Sequence, residues 1–249
     1  MAGELTGKVA VVVGGSGGIG AACVRMLAAE GATVAIGYHT SREKAEAIAT
    51  GLPGNGHSLF QIEVDNSESV VAAAKAVIGG HGHADILVNA AGTTKQVPHA
   101  DLDGLPDTLM DRILTSNVRG PFSTIRAFAP ALKASGDGVI VNLSSISGFT
   151  GSGSSVGYCA SKGALDTMTL SLARALGPEI RVLCVSPGAV ATDFLPGRGR
   201  EELARIAQGT PLKRIVEPED VARAVMACVT HLRATTGAKI IVDGGRFLV

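Results

Sequence analysis

A phenol and an amine stand four positions apart in Tyr158-Cys159-Ala160-Ser161-Lys162. The flanking residues, about 156–176, have helix character, so this spacing puts both side chains on one helical face. A free phenol ionises near pH ~10, too high for ready proton exchange at neutrality, but a cation within roughly 4 to 6 Å favours the phenolate. Lys162 is therefore expected to lower the pKa of Tyr158. A phenol tuned in this way can give a proton to a carbonyl oxygen or withdraw one from an alcohol. Just upstream, Ser144 and Ser145 follow a buried-strand pattern over 138–143. Open α/β sheets gather ligand-contacting groups at such strand ends, where a hydroxyl can orient a carbonyl. Taken singly, each residue has a structural alternative as a packed aromatic, a solvated lysine or a turn serine. The combination carries the chemistry.

A second constellation lies near the N-terminus. The run Gly14-Gly15-Ser16-Gly17-Gly18-Ile19-Gly20 joins a β-branched segment to a helical one, residues 21–30. A turn without Cβ atoms lets the main chain approach a pyrophosphate, and the helix start adds unpaired N–H groups and positive dipole. The run satisfies GxGxxG through Gly15, Gly17 and Gly20, and also GxxxGxG through Gly14, Gly18 and Gly20. The sequence leaves that register open. At the end of the second strand, an acid would be expected to bond the ribose 2′-OH of NAD. The segment Gly37-Tyr38-His39-Thr40-Ser41-Arg42 has none. It offers hydroxyls and a cation, favouring NADP(H) over NAD(H), with Tyr38, Thr40, Ser41 and Arg42 as candidate contacts. The alternative is that Arg42 only solvates a helix start.

The elements that must position these groups alternate along the chain. Short β-branched runs at 8–13, 33–37, 58–64, 84–89, 138–143, 181–185 and 239–242 are separated by segments of helical period. This is the pattern of an α/β, Rossmann-like, doubly wound seven-stranded parallel sheet with helices on both faces. No linker-like shift or internal repeat interrupts residues 1–249, which read as one domain. The longest helical stretch spans 106–133, and Pro121 and Pro130 are expected to bend or end it. The least regular stretch, 192–210, contains Pro196, Gly197, Gly199 and Gly209 around a short charged helix. It is either a substrate lid or an ordinary surface loop.

Composition narrows the function. Lys plus Arg equals Asp plus Glu at 22 each, which argues against a polyelectrolyte partner held by bulk charge. Aromatic residues are 3% of the chain, too few for the stacking platforms of single-strand nucleic-acid binders. No apolar run reaches the ~18 residues of a membrane span, and residues 1–8 lack a secretory layout, so a cytoplasmic location is expected. Cys23, Cys159, Cys184 and Cys228 contain no CxxC pair and read as small buried hydrophobes. His81-Gly82-His83 reads as a surface loop, and no metal is expected.

These motifs together resemble the short-chain dehydrogenase/reductase family over nearly the whole chain, in its single-domain form. The glycine pattern is similar at Gly14, Gly18 and Gly20, with Val13 where the family often has Thr. Asp65 matches the family's adenine-contacting acid. Asn89-Ala90-Ala91-Gly92 is similar to its Asn-Asn-Ala-Gly stretch, with Ala90 as a departure. The resemblance implies a catalytic tetrad of Asn117, Ser145, Tyr158 and Lys162, and the thirteen-position interval from Ser145 to Tyr158 agrees with related reductases. In that scheme Tyr158 is the acid/base and Ser145 positions the carbonyl. Lys162 binds the nicotinamide ribose while lowering the phenol's pKa, and Asn117 disturbs its helix and holds a water in the proton relay. Pro187-Gly188, Val190 and Thr192 resemble the nicotinamide-side loop. Val242-Asp243-Gly244-Gly245 resembles the closing strand and turn, which implies a homotetramer or dimer.

The expected activity is hydride transfer between NADP(H) and a small carbonyl or secondary-alcohol substrate, with 3-oxoacyl-acyl-carrier-protein reductase-like activity the nearest resemblance. Two alternatives stay open: a dinucleotide-binding regulatory protein without turnover, and an NAD-dependent sugar or steroid alcohol dehydrogenase.

Overall fold

The computed structural model describes residues 3–249. Seven parallel strands form one sheet: β1 (Val9–Val13), β2 (Thr33–Tyr38), β3 (Ser58–Gln61), β4 (Ile86–Asn89), β5 (Gly138–Leu143), β6 (Ile180–Pro187) and β7 (Lys239–Val242). Their order is 3-2-1-4-5-6-7, the expected Rossmann-like arrangement. The chain reverses its direction of travel across the sheet between β1 and β4, whose registers run from Ala10 opposite Ile86 to Val13 opposite Asn89. In open α/β sheets the ligand crevice lies at such a switch point, at the carboxyl ends of the strands. β1, β4 and β5 are buried on both faces, which explains their continuous apolar runs.

Two apolar layers sandwich the sheet. On one face, α1 (Gly18–Ala29) and α9 (Pro218–Thr230) bury Val24, Leu27, Val221 and Val225. On the other, α3 (Ser67–His81), α5 (Gly120–Ala134) and α7 (Val156–Leu176) contribute Val70, Val77, Ile125, Phe128 and Ala173. The remaining helices are α2 (Arg42–Thr50), α4 (Asp107–Leu114), α6 (Ser147–Thr150) and α8 (Arg200–Gln208).

Several local expectations are corrected. β3 ends at Gln61 rather than near residue 64. The stretch 106–133 is not one bent α-helix: α4 passes into a π-helical turn, Thr115–Arg119, and then into α5. Pro121 has no N–H to give the carbonyl of Asn117 in α register or of Ser116 in π register, so the chain widens just ahead of it. Pro130, by contrast, lies inside α5 and does not end it. His81-Gly82-His83 is not merely a surface loop. His81 closes α3, Gly82 is its left-handed cap, and the half-buried His81 ring bonds Ser58 Oγ at 2.7 Å.

Candidate active site

The glycine turn distinguishes the two registers. Gly14 has φ +81°, and a Cβ there would meet Ala91 N at 2.7 Å. At Gly20 it would meet Gly14 O at 2.1 Å, and at Gly18 the Thr192 side chain at 2.5 Å. Gly15 is close-packed too, against Ile36 at 2.9 Å, but Gly17 has no contact closer than 3.5 Å, so GxxxGxG is the register in which every glycine meets a close approach. Gly17 is also the N-cap of α1 and supplies no side-chain cap, which leaves the first N–H groups of the helix for an anion. Ser16 and Ile19 are partly exposed in the same turn. Backbone cradle and helix start fit the pyrophosphate of a dinucleotide.

Beside this turn, the end of β2 places Tyr38 in the core and leaves Thr40 and Arg42 exposed, with Ser41 half-exposed at the N-cap of α2. Arg42 is not free: its Nε donates to Glu46 Oε1 at 2.8 Å, one turn along α2. Asp65 is exposed beyond β3, where Arg119 donates to its backbone carbonyl at 2.6 Å. Ala90, Ala91 and Gly92 follow β4, with Ala91 packed against Gly14 of the glycine turn and Gly92 beside Asn117. The Asn89 side chain points elsewhere. It accepts from Thr124 Oγ1 at 2.7 Å and donates to Asn142 Oδ1 at 2.9 Å, and Asn142 in turn donates to Thr169 Oγ1 at 3.0 Å. This buried chain ties β4 and β5 to α5 and α7. Across the crevice, Pro187 ends β6, Gly188 packs on Asp243, and Val190 bridges Val216 ahead of Thr192.

The four residues expected to carry the reaction come together at the ends of β4, β5 and β6. Ser155 caps α7 by accepting from the Tyr158 N–H at 3.2 Å, a contact worth about 1 kcal/mol that also sets where the phenol leaves the helix. Lys162, one turn on, is 5% exposed; its Nζ donates to Leu143 O at 2.7 Å and lies 5.7 Å from the Tyr158 ring centroid. The fully buried Asn117 occupies the π-helical turn. Its Oδ1 accepts from Thr93 N at 2.8 Å, and its Nδ2 donates to Thr93 O at 2.9 Å and Ser161 Oγ at 3.0 Å. Ser161 Oγ donates onward to Tyr158 O at 2.7 Å. Ser145 Oγ accepts from Ser147 N at 3.1 Å and lies 3.5 Å from Pro187 O. The ring of Phe194, from the 192–210 segment, sits 5.9 Å from that of Tyr158.

The electrostatics correct the expected pKa of the phenol. Loss of hydration pushes Tyr158 up to about 12, outweighing the facing Ser145 hydroxyl and the charge of Arg198, which both favour the phenolate. The Lys162 ammonium is engaged by the Leu143 carbonyl, and burial pushes it down to about 8 despite the opposing Asp166 carboxylate. Burial is the leading cause for both groups, and neither owes its shift to the other.

Ser155 and Ser161 were absent from the sequence expectations. The hydroxyl three positions before Tyr158 was a readable N-cap signal, whereas the bond from Ser161 to Asn117 spans 44 positions and has no local signature. Cys23, Cys184 and Cys228 are buried as expected, but Cys159, next to Tyr158, is only half-buried.

A doubly wound sheet with a glycine cradle at its switch point and a Tyr/Lys helix beside it defines a dinucleotide-dependent oxidoreductase. Comparison with known proteins agrees: residues 13–246 match a family profile described as Enoyl-(Acyl carrier protein) reductase. The chain is 39% identical to a Streptomyces violaceoruber protein described as "Granaticin polyketide synthase putative ketoacyl reductase 2", covering 97% of this chain and 96% of that one. It is 32% identical to a 3-oxoacyl-acyl-carrier-protein reductase of Staphylococcus aureus, covering 97% and 98%. A Brucella melitensis short-chain dehydrogenase/reductase described as glucose/ribitol dehydrogenase superposes with TM-score 0.91 at 29% identity, covering 99% of both chains. The chain belongs to the short-chain dehydrogenase/reductase family. It is an oxidoreductase acting between CH–OH and C=O with NAD(P).

Proposed function

We propose that this enzyme reduces the ketone of a 3-oxoacyl thioester or a similar small carbonyl compound with NADPH, using Tyr158 as the general acid. The single observation that carries the reading is the convergence of Asn117, Ser145, Tyr158 and Lys162 at the crevice edge. Ser145 orients the carbonyl oxygen toward the phenol. Tyr158 gives that oxygen its proton, and Lys162, positively charged below about pH 8, supports the charge left on the phenol. Asn117 fixes the 92–93 loop against α7 and, through its carbonyl, holds the water that returns a proton through Lys162. The reduced nicotinamide supplies the hydride when bound. A phenol at about 12 is fully protonated at neutrality, which favours reduction over alcohol oxidation.

Supporting the cofactor preference, the β2 end carries Thr40, Ser41 and Arg42 and no carboxylate, and the ketoacyl-reductase relatives point to the thioester. Residues 192–210 act as the substrate lid, with Phe194 as its apolar contact over Tyr158. The enzyme works in the cytoplasm as a homotetramer or dimer. Tyr158→Phe tests the assignment: it is expected to bind NADPH with unchanged Kd while kcat for an N-acetylcysteamine 3-oxoacyl thioester falls by at least ~10²-fold. Retained turnover would remove Tyr158 from the mechanism.

A further inference from the structure

One helical turn beyond Lys162, α7 carries a buried carboxylate that the reaction above does not use. Asp166 is 8% exposed. Its Oδ1 accepts from Ser144 Oγ at 2.5 Å and faces the Cys184 thiol at 3.6 Å, and its Oδ2 lies 2.5 Å from Lys239 Nζ. Ser144 is the neighbour of Ser145, and its hydroxyl is also 3.3 Å from the Lys162 carbonyl. Lys239 extends from edge strand β7 over the Phe149 ring at 4.3 Å, and Phe149 belongs to α6, directly after the Ser145 turn. The end of β5, α6, α7, β6 and β7 thus meet around one carboxylate.

A buried ion pair of this kind contributes little net stability, because desolvating both ions offsets their attraction and apolar side chains would pack as well. Its placement is more informative. Asp166 Oδ1 holds the residue preceding Ser145, and the carboxylate charge acts on Lys162 against the effect of burial.

We propose that the Asp166–Lys239 pair is a positioning device for the reaction: Asp166 anchors Ser144, and thereby Ser145, and supplies the buried negative charge that acts on Lys162, while Lys239 holds the other carboxylate oxygen in place. The inference rests on the catalytic reading of Tyr158 and Lys162 given above. The titratable groups facing Lys162 are Tyr158 and Asp166 on its own helix and Cys184 on β6; those facing Asp166 are Cys184 and Lys239. Cys184 is pushed up to about 12 by burial and the nearby carboxylate, so it stays a neutral thiol. Asp166 is therefore the anion that acts on the amine.

The test reads the amine directly. Carbon-13 Cε resonances of labelled lysines, with Lys162 assigned by its loss in Lys162→Met, are followed against pH in the parent, in the near-isosteric Asp166→Asn, and in Lys239→Met. The Lys162 midpoint is expected to fall by on the order of one pH unit in Asp166→Asn. In Lys239→Met, where the carboxylate loses its other cation, the midpoint holds at or above the parent's. The alkaline limb of kcat should move with the midpoint in Asp166→Asn, with KM changing less than kcat. An unmoved midpoint in Asp166→Asn, or an equal fall in both variants from general loosening, overturns the proposal. Because the midpoint is read without turnover, the two readings fail separately. An active Tyr158→Phe sinks the catalytic assignment, whereas an inactive Tyr158→Phe with an unmoved Lys162 midpoint sinks only the role of the pair.

Discussion

Asn117 Nδ2 donates to Ser161 Oγ at 3.0 Å, and Ser161 Oγ donates to the Tyr158 carbonyl at 2.7 Å, so the π-helical turn and the Tyr158 helix are joined beside the phenol. Asn117 also closes two bonds to the backbone of Thr93, so one side chain ties the loop after β4 to α7.

Truncating the two partners should therefore have unequal effects. Asn117→Ala leaves the part-buried Thr93 N–H unpaired and is expected to lower stability by about 1–3 kcal/mol. It should also reduce kcat by about 10²-fold. Ser161→Ala removes one link and should cost about 1 kcal/mol, with kcat within about tenfold of the parent. Urea unfolding and steady-state kinetics check both. Equal kcat for the two variants would contradict the bridging role.

Lys162 sets an alkaline limb for reduction. With its amine at about 8 and the Tyr158 phenol at about 12, kcat/KM for ketone reduction should be level near neutrality and decline above about pH 8. Alcohol oxidation, which needs the phenol to accept a proton, should instead gain from rising pH. A reduction profile that stays level up to about pH 10 contradicts this account.

The same amine couples folding to pH. Its folded pKa, about 8, lies below the ordinary 10.5, so between those values the unfolded chain binds more protons and stability from this group rises with pH. The penalty is full below about 8 and is relieved as pH climbs through 10.5. Relative to Lys162→Met, the parent should gain about 3 kcal/mol of unfolding free energy from about pH 7 to about pH 11. Urea midpoints across that range measure it, and a constant difference would show that Lys162 is not buried as a charge.

Glu46 competes with an incoming phosphate for the Arg42 guanidinium at the start of α2. Arg42→Ala should weaken NADPH binding by about tenfold and leave NADH nearly unchanged. Glu46→Gln, which frees the guanidinium, should tighten NADPH. Fluorescence titration gives both Kd values, and tighter binding of NADH than NADPH by the parent would refute the cofactor preference.

Much of this was legible from local pattern. Seven short β-branched runs between helical segments fix the sheet class, because a strand buried on both faces needs a continuous apolar run. The four-residue step from Tyr158 to Lys162 fixes their shared face, since helical periodicity makes neighbours of residues one turn apart. Tertiary structure decided what depends on residues distant in the chain. The glycine register was settled by the close approach of Ala91 and Thr192 to the turn, and the widening at Asn117 accompanies its bonds to Thr93 and Ser161. The phenol's pKa was expected to fall from the Lys162 spacing alone, yet it rises because burial is a property of the assembled core. Asp166 and Lys239 meet only after β7 has docked beside β6, 73 residues from the carboxylate it pairs with. Spacing along the chain specifies which groups share an element; desolvation and long-range pairing exist only once the elements have packed.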